Sequence, residues 1–348
     1  VTSSVRDKKI TRQNLPRQAS AVDSSTELFP HNGASTDVLG HAGLLSSCAS
    51  SSPDDSSPVS WQSELESSAS LLSDNIPLHE LQFARMLWPE VAAPAYLNDD
   101  QVQYVLRALR SYVPSMAYTG STPFLHQNLW RSYQPVSYQD CVSISALYLC
   151  KTSANTALIA NSINSKVANL RAASKGWGLL EHLAAVQTLV IYQIIRLFDT
   201  SLAQQVQAQK HNVLLETWAA QLWKRSFNEP TLLANCYETW VFNESLRRTI
   251  MMSVFVRCAW SLYARDGLAD QVPVLAHIPF TKDLRAWKFD PEDWKTIVLP
   301  GMLAEDGLTA YKDFTCKWSE KDEVEALDPF ERLLLAACRG ADDPRLLV

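Results

Sequence analysis

The sequence predicts an all-α protein: an irregular multi-helix domain preceded by a disordered, serine-rich N-terminal tail. Three observations carry this. Beyond about residue 77, apolar residues recur at steps of three and four, the spacing that lines one face of a helix. Only 10 Gly stand against 11 Trp and 11 Tyr, too few for the tight reversals of an all-β sandwich, where glycine supplies positive φ. Hydrophobic residues make up 47% of the 348 and charged ones 20%, enough apolar side chain for a sizeable core. Length alone allows one domain with a tail or two domains. Composition divides the chain into a tail over 1–75 and a helical domain over 76–348.

The tail is rich in Ser, with scattered Pro and Gly and no apolar period, a composition that does not bury enough surface to fold. Its start is basic, with Arg6, Lys8, Lys9, Arg12 and Arg17 against Asp7. A solvated linker is the leading reading of that stretch, and a nuclear-import signal or phosphate-contacting arm the second. Residues 46–74 are acidic and serine-rich; Trp61 to Leu72 reads first as linker and second as an activation-type segment that folds on a partner. The chain begins with Val1 and shows no signal-peptide run, so a fragment or incomplete reading frame is expected.

In the domain, Asp99 is expected to cap a helix through Val102, Val105, Leu106 and Leu109 that Pro114 ends. A proline-punctuated loop, Thr122 to Pro135, carries Phe124, Leu125, His126, Leu129 and Trp130. Asp140 is expected to open a second helix with Val142, Ala146, Leu147 and Leu149, followed by a helix over 154–171 and a break at Lys175 to Gly178. Residues 179–198 have apolar groups on so much of their circumference that the helix should be nearly enclosed. The apolar run from Leu183 to Leu197 is interrupted by Gln187, Gln193 and Arg196 and is shorter than the roughly 20 residues of a membrane span; it reads as a core helix, and no membrane partner is expected. Residues 211–225 place Leu214, Leu215, Trp218, Leu222 and Trp223 on one face. A long segment, Asn235 to Tyr263, carries Tyr237, Trp240, Val241, Ile250, Val254 and Trp260. After it the chain looks looser, broken at Pro273, Pro279, Pro291 and Pro300, until a short helix over Pro329 to Cys338.

Several chemistries are disfavoured. The net charge of −6 argues against a surface that grips phosphate throughout, since nonspecific nucleic-acid affinity comes from Lys and Arg. The seven cysteines show no CxxC pair and read as small hydrophobes in a reducing compartment. No two of the seven histidines share a helix face at steps of three or four. Phosphate-loop, dinucleotide, nucleophile-elbow and HExxH motifs are missing. A terpene-synthase-like reading fails because Asp54-Asp55, Asp99-Asp100 and Asp342-Asp343 lack a third carboxylate one turn away. No catalytic, cofactor-binding or metal residues are therefore assigned, and an all-α enzyme with an unrecognised active site is the alternative to a regulatory protein.

The candidate site is the cluster Trp240, Glu244, Arg247 and Arg248. On a helix Glu244 reaches both arginines, at steps of three and four, with Trp240 one turn before it. The leading reading is an interior salt bridge that orients the helix; the sharper alternative is a pair of ligand-sensing arginines.

Tyr237-Glu238, Trp240, Glu244-Ser245 and Arg247-Arg248-Thr249 resemble the signature helix of the fungal-specific regulatory (middle homology) domain of zinc-cluster (Zn2Cys6) transcription factors. Gln187 to Asp199 resembles the core helix before that signature, and Thr122 to Trp130 with the Asp140 to Leu149 stretch resembles regulators of fungal secondary-metabolite gene clusters. The likeness spans about residues 77–265 in order. It implies a nuclear transcription regulator without catalysis, acting through proteins of the transcription machinery, with a small-molecule effector as a further possible partner. The family usually carries a six-cysteine cluster holding two zinc ions, then a basic linker and a coiled coil. That cluster is absent here and the tail shows no heptads. Either it lies upstream of Val1 or this is a finger-less relative, so zinc, and DNA binding, are expected only through a module or partner outside this chain.

Overall fold

The computed structural model describes residues 95–229, 233, 235–264, 268–269, 272–298, 307–319 and 321–348. The predicted tail, its basic start, the Trp61 to Leu72 segment and the boundary at 75/76 lie outside the described residues.

Helix α1 (Asp99–Thr119) starts one residue earlier than expected and runs past its proline. Asn98, not Asp99, is the cap: its Oδ1 accepts from the Gln101 backbone N–H at 2.9 Å, and the Asn98 N–H donates to Gln101 Oε1 at 3.2 Å. Asp99 and Asp100 instead fill the first turn, where the helix dipole favours negative charge. Pro114 sits inside the helix. A mid-helix proline costs about 3 kcal/mol, but Tyr112, Val113 and Met116 around it are buried in the core, and burying such side chains contributes roughly 1.5–3 kcal/mol each. The helix closes on Gly120, left-handed at φ 65, where the Tyr138 hydroxyl donates to its carbonyl at 3.0 Å.

Helix α2 (Val136–Leu149) begins directly after Pro135 rather than at Asp140. Asp140 lies within it and takes Lys166 of the next helix at 2.7 Å. The inward face is also not the expected one: Ser137, Cys141, Ile144 and Ser145 are buried, while Ala146 and Leu149 are exposed and Val142 and Leu147 half-buried. Small residues let α2 approach the central helix closely, and the Ser137 carbonyl accepts from Thr188 Oγ1 at 3.0 Å. Helix α3 (Thr156–Ala173) buries Ile159, Ile163, Val167 and Leu170, and a single tight turn at Ser174–Gly176 forms the expected break.

Helix α4 (Leu179–Leu197) is the axis of the domain. Every residue from His182 to Leu197 is buried, because α1, α2, α3 and the two helices that follow all pack against it. Helix α5 (Leu202–Asn228) is longer than the periodic stretch. Leu215, Trp218 and Leu222 are buried and Leu214 and Trp223 flank them half-buried. The N-terminal extension buries Ala208 alone up to Lys210 and owes its form to helix-favouring Ala and Gln. Helix α6 (Cys236–Ala264) matches the long segment, with Asn235 Oδ1 accepting from the Glu238 N–H at 2.9 Å.

The stretch beyond α6 is more ordered than the sequence suggests. Strand β1 (Ala95–Tyr96) pairs antiparallel with β2 (Leu268–Ala269), and β3 (Pro279–Thr281) with β4 (Leu308–Ala310). Strands of two or three residues carry no readable period, and a proline as first strand residue is tolerated. Helix α7 (Val272–Ala276), a helical turn at Pro291–Asp293 capped by Asp290, and α8 (Tyr311–Lys317) complete this region. Pro300 is outside the described residues. Helix α9 (Pro329–Arg339) carries a reciprocal cap between Asp328 and Glu331 and packs against α1. The described part of the chain is all-α with two minute sheets. No described helix is long and apolar enough to cross a membrane.

Candidate functional site

The four predicted site residues lie on the N-terminal half of α6 and share its inward side. Glu244 is 0% and Arg248 1% exposed, Trp240 is 2% exposed, and the Arg247 side chain retains 14%. Arg248 Nε donates to Glu244 Oε1 at 2.8 Å, and Arg247 reaches Oε2 through Nε at 3.1 Å and Nη2 at 3.0 Å. Thr281 on β3 adds its backbone N–H at 3.0 Å and its hydroxyl at 2.7 Å, both to Oε2. Burial alone would raise the Glu244 carboxyl. The charges of Arg247 and Arg248 and the hydrogen bonds from Arg248 and Thr281 outweigh it and hold the group at about 2.

Arg248 continues the network outward. Its Nη1 donates to the Pro123 carbonyl at 3.0 Å, and its guanidinium lies 4.0 Å from the Trp287 ring centre and 4.6 Å from that of Phe330. Planar, weakly hydrated guanidinium suits such a stack where lysine would not. One helical step on, the Thr249 hydroxyl donates to the Ser245 carbonyl at 2.6 Å and accepts from Gln187 Nε2 of α4 at 3.2 Å. The same Nε2 is 3.4 Å from the Phe124 carbonyl, and Gln187 Oε1 accepts from Trp130 Nε1 at 3.1 Å. The Thr122 to Trp130 loop, α4 and α6 are thus joined by buried polar bonds.

Trp240 faces a second, aromatic cluster. It lies 6.3 Å from Tyr237 and 5.8 Å from Trp294, and His126 is set edge-on to Trp287 at 4.7 Å. Tyr237 Oη accepts from Asn128 Nδ2 at 2.9 Å and donates to the Phe289 carbonyl at 3.2 Å. His126 takes the Asn128 N–H on Nδ1 at 3.1 Å. Burial brings its pKa down to about 4, opposed by the Trp287 backbone and helped by the Arg248 charge, so the imidazole is neutral at pH 7.

Sequence reasoning paired Glu244 with both arginines but missed Thr281, Trp287, Phe330 and the Pro123 carbonyl. Thr281 and Trp287 come from the stretch beyond α6, where no periodicity marks them; Phe330 lies on the expected helix over Pro329 to Cys338, whose docking against the lock the period does not reveal; and the fourth is a backbone atom. The Gln187 link had one available signal: a glutamine on a helix nearly enclosed by its neighbours must find a buried partner. Chemically, a carboxylate at about 2 and saturated by donors is a poor proton acceptor, and the arginines beside it are already engaged. Among the described residues no three His, Cys, Asp or Glu side chains converge as a metal site would require.

Fold and site together define an all-α domain closed by an interior ion-pair lock. Set beside known proteins, the chain is 30% identical over 244 residues to a protein named transcription factor gsfR2, from Penicillium aethiopicum. The match covers 65% of this chain and 57% of that protein, so the chain spans little more than half the length of the relative it matches. The chain is therefore similar to a fungal transcription factor. No protein-family model and no solved structure matches it.

Proposed function

We propose that this chain is the helical regulatory portion of a nuclear transcription regulator of a fungal secondary-metabolite gene cluster, of the zinc-cluster type. It acts through contacts with proteins of the transcription machinery and performs no catalysis. DNA is reached through a module or partner outside the chain, and a small molecule is the natural gate on its activity. The observation that carries the reading is the similarity to transcription factor gsfR2 over 244 residues. The ordered resemblance of Thr122 to Trp130, Gln187 to Asp199 and Tyr237 to Thr249 to the family's regulatory domain supports it, as does a net charge of −6, which is unsuited to gripping a nucleic-acid backbone over the whole surface.

The test has two arms. The chain fused to an unrelated DNA-binding module should change transcription of a reporter carrying that module's site, and the chain alone should show no salt-dependent binding to duplex DNA. A fusion indistinguishable from the bare module, or tight salt-dependent binding by the chain itself, overturns the reading.

A further inference from the structure

Three arginines of the described residues are buried, and two of them meet a carboxylate: Arg248 on Glu244, and Arg257 on Glu216 at 3.0 Å. Arg196, near the C-terminus of α4 and 1% exposed, does not. Its Nε donates to the Tyr192 carbonyl at 3.2 Å, Nη2 to Gln193 Oε1 at 2.6 Å and Nη1 to His211 Nδ1 at 3.0 Å. All three acceptors are neutral. A buried charge without a counter-charge is costly, and the C-terminal dipole of α4, worth about half a charge, offsets only part of it.

The surroundings add positive charge instead of removing it. Burial brings His211 down to about 4, and the charges of Arg196, Arg171 and Lys210 push in the same direction. Arg171, in the last turn of α3, and Lys210, on α5, are exposed and form no ion pair among the described residues. The Tyr192 hydroxyl, one turn before Arg196, is buried without a partner, and the Arg196 charge acts on it. The acid that also acts on Tyr192 is Asp140, and Lys166 holds it at 2.7 Å. Of the three partners of Arg196 only His211 reaches solvent, since Tyr192 and Gln193 are fully buried. Gln193 is further pinned by bonds from its Nε2 to the Ala208 carbonyl and Asn212 Oδ1. His211 is thus the one that can swing aside.

We infer that α3, α4 and α5 form a binding site for a small oxyanion, a carboxylate or phosphate group, with Arg196 as its floor, Arg171 and Lys210 at its rim, and His211 as the side chain it displaces. The neutral imidazole presents to the guanidinium a lone pair where an oxyanion oxygen would sit, and an anion that takes its place on Nη1 brings full charge and a stronger, charge-assisted bond. The inference stands apart from the transcriptional reading, because binding is measured on the purified chain and its failure leaves that reading untouched.

Thermal unfolding of the full chain tests it, titrated with inorganic phosphate, with succinate, and with sodium chloride at matched ionic strength. At a hundredfold excess over its dissociation constant, the preferred anion should raise the midpoint by about 5 °C, saturably, and whichever of phosphate or succinate acts at lower concentration identifies the chemistry. Replacing the exposed pair, Arg171→Gln with Lys210→Gln, should leave the chain folded and weaken binding by about tenfold or more; Arg196→Gln should abolish it. Neither anion exceeding sodium chloride, or an undiminished shift in the double variant or in Arg196→Gln, overturns the site. Should Arg196→Gln fail to fold, the double variant decides.

Discussion

Thr281 gives Glu244 two hydrogen bonds to one oxygen, through its backbone N–H and its hydroxyl, across 37 positions of sequence. The carboxylate is therefore the point at which a strand from an aperiodic part of the chain is tied to α6. It also neutralises the guanidinium that reaches across to the Pro123 carbonyl. Removing it should do more than delete one contact.

Glu244→Ala is expected to lower the unfolding free energy by about 3–5 kcal/mol, the range for breaking a buried ion pair from one side, because Arg248 is left buried without its partner. Denaturant unfolding of variant and parent measures this. A loss below 1 kcal/mol would mean that the network is replaceable by water.

Acid should dissolve the same bond in a defined window. The Glu244 carboxyl is held at about 2, below its unfolded value of about 4.3, so the stability it supplies is complete above the unfolded value and lost as pH falls from there toward 2. The advantage of the parent over Glu244→Gln should be constant between pH 7 and 5 and shrink below that. A constant difference down to pH 2.5 would show that the carboxylate is not depressed.

His126 and His182 produce a separate effect at higher pH. Burial lowers both to about 4, with Arg225 adding to the shift of His182, so the unfolded chain binds more protons wherever pH lies between 4 and about 6.5. Stability should therefore fall on acidification through that window, at up to about 1.4 kcal/mol per pH unit for each histidine. The double variant His126→Gln/His182→Gln should reduce this slope by their share, whatever its stability at pH 7, leaving that of His211, also held at about 4; an unaltered slope would assign the effect to other groups.

Gln187→Ala removes the acceptor of the buried Trp130 indole and the donor to Thr249. An unsatisfied buried polar group costs roughly 1–3 kcal/mol, and loss in that range is expected. Gln187→Glu keeps the acceptor toward Trp130 but forfeits the donor and adds charge in a fully packed helix, and should be worse than Ala by equilibrium unfolding.

The parts legible in the sequence were those where a long apolar period leaves one solution. α4 is enclosed from His182 to Leu197 because its apolar residues cover nearly its whole circumference, and the Glu244 pairing follows from helical steps of three and four. What stayed hidden was decided at a distance. Pro114 is carried through α1 by the burial of Tyr112, Val113 and Met116, and α2 turns in its small residues because α4 is packed against it. Thr281 and Trp287 reach the lock from segments too short to show a period, and Phe330 from a helix whose period is legible but whose docking partner is not. Local propensity informs about the first kind of residue and is silent on the second, whose placement rests on tertiary contacts.

Two of the bonds from α4 and α6 to the Thr122 to Trp130 loop end on the carbonyls of Pro123 and Phe124, which any residue supplies, while two others use the side chains of Trp130 and Asn128. The lock therefore places unequal demands on its two sides. Arg248, Thr249 and Gln187 must keep their side-chain chemistry, whereas at Pro123 the loop need only keep its path. Mutational drift is accordingly free to rewrite Pro123 wherever the new residue fits the same backbone trace, while Asn128, Trp130 and the helices that read the loop stay fixed.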